Sequence, residues 1–219
     1  MVAAVTQQVF IGFKSGVGVS SIVQQASATS AASAITCPTV ALGDLIFLWD
    51  IAAGAAALPS SVIPTDFNQI QEINAGFQRA ICSFKRSLGT ESGATLTGMN
   101  GNQLTQKVLV TFRGTDAFVT CTPNTFGEEF TANDPSPQTV TVGAAPLIVL
   151  GCYRSNSAAV DPRTFTVGGS PAKDGEVAGP SNLSYVAWKL YVSGAQNVVV
   201  DMDDEAGSNI LMSGYIAVT

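Results

Sequence analysis

Leu42-Gly43-Asp44-Leu45-Ile46-Phe47-Leu48-Trp49-Asp50-Ile51-Ala52 is the stretch on which the reading of the fold turns. Eight of its eleven residues are apolar, with Phe47, Trp49 and Ile51 on one face of a strand and Ile46 and Leu48 on the other. A strand that is apolar on both faces has to be covered on both. The spacing therefore predicts the central strand of a β-sandwich.

Working outward, residues 76–86 set Ala80, Cys82 and Phe84 against Arg79, Ser83 and Lys85, and residues 106–113 set Val108, Val110 and Phe112 against Lys107, Thr111 and Arg113. Both patterns have the period of a half-buried strand. Residues 145–153 form a second doubly apolar run, after a short strand at 139–142, and residues 67–73 are strand-like. From Leu183 to Val192 the chain places Val186, Trp188, Leu190 and Val192 on one face and Tyr185, Lys189 and Tyr191 on the other. Asn197 to Asp201 and Ile210 to Val218 read as a closing hairpin around the acidic turn 201–209. Residues 4–13 give a first strand, and the small residues from Ser20 to Thr36 suit an edge strand or an extended arm.

Pro59 and Pro64 mark a loop after the central strand, and residues 123–137 and 162–180 read as long polar loops, which in compact domains are usually functional or poorly ordered. Closely spaced strands joined by Gly and Pro turns, with almost no helical periodicity, give the expected fold class. It is all-β, a single antiparallel β-sandwich or jelly-roll-like domain with an extended N-terminal arm. Residues 1–36 supply the N-terminal strand and the small-residue arm of that unit, and residues 37–219 supply the sandwich.

The 219 residues are enough for one large all-β core. Hydrophobic residues make up 46% and charged residues 12%, about half the charged share of an ordinary soluble domain. A surface so poor in charge suggests contact with other protein. The net charge of −6 disfavours nucleic acid, whose phosphates call for clustered Lys and Arg. The first residues lack the basic and apolar regions of a signal peptide, and no run has the eighteen apolar residues of a membrane helix. The expectation is a soluble chain made in the cytoplasm without a membrane span.

There is no histidine, which removes Ser-His-Asp and Cys-His catalysis and histidine metal sites together. Cys37, Cys82, Cys121 and Cys152 are too far apart in sequence for a clustered zinc pattern, and Cys82 and Cys152 read as small buried hydrophobes. The glycine-rich residues 12–21 lack the Lys and hydroxyl that end a phosphate-binding loop. Val110 to Asp116 has the look of a lipase strand, but no Gly-x-Ser-x-Gly elbow accompanies it. The carboxylates Glu128, Glu129, Asp201, Asp203, Asp204 and Glu205 crowd turns, whereas a glycosidase sets two across a cleft. No catalytic residue and no required cofactor is expected.

Two sets remain as candidate sites. Asp201, Asp203 and Asn209 could supply oxygen ligands to a calcium or magnesium ion, although Ala206 and Met212 break the EF-hand pattern. The plainer reading is a hydrated hairpin tip that discourages edge pairing. Trp49 and Trp188 read as core, while Tyr185, Lys189 and Tyr191, with Phe126 and Phe130 from the neighbouring loop, form a candidate contact surface of the kind that stacks on a sugar.

Gly43-Asp44-Leu45-Ile46, Pro64-Thr65-Asp66-Phe67, Gly89-Thr90-Glu91-Ser92-Gly93, Val108-Leu109-Val110-Thr111-Phe112, Ala145 to Gly151 and Ser213-Gly214-Tyr215-Ile216 occur in this order. Together they resemble a family of small β-sandwich proteins encoded among the structural genes of tailed bacteriophages and prophages. The resemblance spans residues 40–218 and consists of strand and turn phrases, so it carries over no functional residue. It implies a virion component without catalysis, in the tail or neck or as a capsid decoration protein. The expected partners are other virion proteins and further copies of the chain, a trimer being one arrangement. A receptor- or carbohydrate-binding module on the tail is the alternative.

Overall fold

The computed structural model describes residues 21–131, 134–143, 146–155, 163–191, 195–202 and 208–219. Apart from one 3-10 turn at Pro180–Asn182, the regular elements among them are β-strands in antiparallel sheets. The first sheet has the order β1 (Ile22–Ser30), β7 (Leu104–Gly114), β3 (Leu42–Ala53), β5 (Gln78–Leu88), β4 (Asn68–Ala75). β3 occupies the middle, as its two-sided apolar pattern requires, with Leu48 opposite Leu109 of β7 and Ser83 of β5.

The second sheet runs β14 (Gly175–Ala178), β15 (Ser184–Tyr191), β11 (Leu147–Arg154), β17 (Asn209–Val218), β8 (Cys121–Pro123), and β9 (Gly127–Thr131) also pairs with β17. The third runs β10 (Gln138–Val142), β16 (Gln196–Met202), β12 (Arg163–Val167), β13 (Ser170–Pro171). β2 (Ala34–Thr36) and β6 (Thr95–Thr97) make a small ribbon of their own.

Alternation of side chains turns these sheets into three layers. Phe47, Trp49, Ile51, Cys82 and Phe112 of the first sheet meet Ile148, Leu150, Cys152, Trp188 and Met212 of the second in the main core. The other face of the second sheet, through Val149, Tyr153 and Leu211, meets Phe165, Val198 and Val200 of the third. The outer face of the first sheet is covered by connecting segments. Ile35, Cys37, Val40, Phe67 and Leu96 lie over Ile46, Leu48 and Leu109, and Met99 lies over Ala52 and Ile81. Both doubly apolar strands, β3 and β11, are thus covered on both faces. Burying each large apolar side chain contributes about 2 kcal/mol.

The sandwich expected from the sequence is present, with a third layer added to it. The closing hairpin is corrected: β16 pairs with β10 and β12 in the third sheet, and β17 pairs with β11, β8 and β9 in the second. The two strands differ in kind, since β17 is buried on nearly every residue while β16 buries Val198, Val200 and Met202 on one face. The two long loops are corrected as well. β9 lies within residues 123–137, and β12, β13 and β14 lie within residues 162–180. The small-residue stretch supplies β1, the outer strand of the first sheet. The strand expected at 4–13 and the glycine-rich segment 12–20 lie outside the described residues. No helix among the described residues is long and apolar enough to cross a membrane.

Candidate functional site

A cleft of about 530 Å³ opens where the ends of the first and second sheets separate. The first sheet contributes Phe77, Gln78, Gln103 and Leu104 to its lining, and the second contributes Phe130 and Arg154. Phe77 owes its position to the hairpin between β4 and β5, in which Ala75 pairs with Gln78 and Gly76 takes a φ of 60° at the first central place. That is the glycine position of a tight II′ hairpin turn, and it leaves Phe77 on the rim with 55% of its surface exposed. The Phe77 carbonyl accepts a bond of 2.9 Å from Gly54 N–H, which ties the turn to the end of β3.

Phe130 stands on β9 opposite Ile210 and is 39% exposed. Arg154 ends β11, is buried, and donates from Nη1 to the Ser208 carbonyl. Gln78 Oε1 is shielded from solvent and accepts no hydrogen bond. A lining that combines two exposed aromatic rings with amide and guanidinium groups suits a ligand with an apolar face and a hydroxyl rim.

The contact surface expected from the sequence is only partly at the surface. Phe130 is exposed, but Phe126, Tyr185 and Tyr191 are buried, a correction with a clear cause in each case. Phe126 reaches across Gly214 into the main core and stacks on Phe47 with centroids 6.4 Å apart. A Cβ on Gly214 would come within 2.1 Å of the Phe126 ring, so the glycine makes its seat. Tyr185 and Tyr191 face the third sheet, which covers them. Tyr185 lies under the Arg163 guanidinium, 3.4 Å from its ring centre, and donates its hydroxyl to the Asn182 carbonyl. Lys189 pairs with Asp174 at 2.7 Å.

Of the expected metal ligands, Asp201 and Asn209 lie at the facing ends of two strands. Asp201 lies in β16 opposite Thr164, and Asn209 starts β17 opposite Thr131 with no solvent exposure. Asp203 lies outside the described residues. Among the described residues no group of three or more His, Cys, Asp or Glu is arranged to hold a metal ion.

Sequence reasoning missed the charges inside the first sheet. Asp50 and Lys107 are directly opposed on β3 and β7 and bond at 2.6 Å. Lys107 Nζ also donates to the Met99 carbonyl at 2.7 Å, while Met99 N–H donates to Asp50 Oδ2 at 2.8 Å. Burial pushes the Asp50 carboxyl up and the Lys107 ammonium down, and each group opposes the shift of the other. At the far end of β3, Arg113 makes a two-pronged bond to Asp44, both contacts at 2.7 Å. The signal was available: a carboxylate inside an apolar strand needs a buried partner. Burial also pushes the Cys37 and Cys121 thiols up to about 11, so neither is a nucleophile near neutral pH.

Comparison with protein-family models, with curated proteins and with solved structures returned no match.

Proposed function

We propose that this chain is a non-enzymatic structural component of a tailed-phage virion, in the tail or neck or as a capsid decoration protein, acting by assembly with copies of itself and with other virion proteins. The observation that carries the reading is the outer edge of β1. Ile22-Val-Gln-Gln-Ala-Ser-Ala-Thr-Ser30 holds neither a charged residue nor a proline, and no strand among the described residues pairs with its free side. Isolated proteins guard such edges with lysine, proline or a covering segment, because the unpaired main chain is a template for a further strand. Among the described residues the guard on this edge is a bulge at Gln25. The low charge and the phage-like order of strand and turn phrases support the same reading.

Cryo-electron microscopy of the virion, with this chain traced into the density, is the direct test. Density on the capsid lattice makes it a decoration protein, and density at the neck or tail makes it a connector or adsorption component. Its absence from purified particles overturns the reading, as does a strictly monomeric protein by light scattering at high concentration.

The cleft favours a second reading, a glycan-binding module of the tail. Its exposed Phe77 and Phe130 are the kind of side chains that stack on a sugar ring. Binding of purified protein to an array of host surface glycans tests it, and a blank array removes its support.

A further inference from the structure

Cys82 lies in β5 and Cys152 in β11, in the two sheets that close on the main core, and neither has any solvent exposure. Their sulfurs stand 3.6 Å apart, with the Met212 thioether 3.7 Å from that of Cys82. We propose that Cys82 and Cys152 form a disulfide site that staples the first sheet to the second. A disulfide holds its sulfurs at about 2.0 Å, so closing the gap asks each side chain for a shift of roughly 0.8 Å. The pairing is specific, because Cys37 belongs to the cluster on the opposite face of the first sheet and Cys121 lies in β8 at the edge of the second.

The oxidant is a low-molecular-weight disulfide such as oxidised glutathione. One protein thiolate attacks it, breaking its S–S bond, releasing one glutathione thiol and leaving a mixed disulfide. The second protein thiolate then attacks the protein sulfur of that intermediate and expels the other glutathione as a thiolate, which takes up a proton. Two protein thiols are oxidised while one small disulfide is reduced to two thiols.

Burial decides when this exchange occurs. Desolvation, followed by the neighbouring Cys82, drives the Cys152 thiol well above its ordinary range, so the closed sandwich offers neither a thiolate nor access. The bond therefore forms while the sheets are apart during folding. Once the layers close, the pair keeps the redox state in which it folded.

The test is to unfold the full chain under reducing conditions and refold it with oxidised and reduced glutathione. The expected product is about 2 Da lighter than the reduced chain and carries a peptide cross-link between Cys82 and Cys152. In denaturant only Cys37 and Cys121 of that product alkylate. Its melting temperature is expected about 10 °C above that of the reduced protein, since the bond closes a long loop. The double variant Cys82→Val, Cys152→Val is expected to melt at the same temperature with or without reductant. Folded reduced protein held in the same glutathione buffer is expected to stay reduced. Four alkylated cysteines after oxidative refolding overturn the proposal, as does a cross-link through Cys37 or Cys121.

Discussion

Asp50 Oδ1 and Lys107 Nζ lie 2.6 Å apart on neighbouring strands, and neither side chain is more than 3% exposed. Taking two charges out of water costs several kcal/mol per ion, and their attraction together with the Met99 main-chain bonds offsets that cost. The pair is thus worth little against an apolar pair of similar volume, while either partner alone is expensive. Lys107→Met or Asp50→Ala is expected to cost about 3–5 kcal/mol in chemical denaturation, because each leaves a lone buried charge. Asp50→Leu combined with Lys107→Met is expected to cost less than either single change. A double variant as unstable as the sum of the singles would refute this account.

Gly98 is the space that the pair requires. A Cβ there would lie 2.1 Å from Asp50 Oδ2 and 3.0 Å from Lys107 Cε. Gly98→Ala is expected to cost about 1–3 kcal/mol by overpacking. Part of that cost should vanish in an Asp50→Ala background, where the clashing carboxylate is gone. Denaturation midpoints of the four proteins read out the coupling, and strict additivity would show that Gly98 matters for another reason.

Glu91 anchors the turn after β5, and its stability contribution depends on pH. Burial alone would raise its carboxyl, but bonds from Leu88 N–H, the Ser87 hydroxyl and Lys85 outweigh that and hold it at about 2, against an ordinary 4.5. A carboxyl depressed by folding binds its proton more tightly when unfolded. Its stabilisation is therefore present above about pH 4.5 and is lost as the pH falls toward 2. The parent protein should lose on the order of 2 kcal/mol across that window from this group, and Glu91→Gln should flatten the dependence. Thermal melts at stepped pH check it, and parallel curves for the two proteins would contradict it.

How much was legible in the sequence follows from how many faces a strand buries. β3 and β11 declare themselves because an apolar run on both faces leaves them no place but the inside. β9 carries Gly127-Glu-Glu-Phe-Thr131 and among the described residues pairs with β17 alone, so its polar side chains hide it within a loop. Tyr185 and Tyr191 look like surface residues because nothing in β15 reveals that a third sheet packs on that face. β16 and β17 look like a hairpin because they are adjacent in sequence, and no local signal tells that they belong to different layers. Asp50 and Lys107 escaped because each was read within its own strand, while their meaning lies in the register between two. The cleft was illegible for the same reason, since Phe77 and Phe130 come from different sheets.

Phe77 separates folding from binding at that cleft. With 55% of its surface exposed on a hairpin tip, it gives the fold little, and Phe77→Ser is expected to change stability by no more than about 0.5 kcal/mol. If the cleft takes a sugar face, the same change removes a stacking platform, and affinity for a glycan that the parent protein binds should fall about tenfold or more. Phe130→Ser should act in the same direction with a larger stability cost, since more of that ring is buried. Titration of the glycan by calorimetry, beside a thermal melt of each variant, measures both quantities. Unchanged affinity in both variants would show that the sugar does not stack on these rings and would remove the support that the cleft gives to glycan binding.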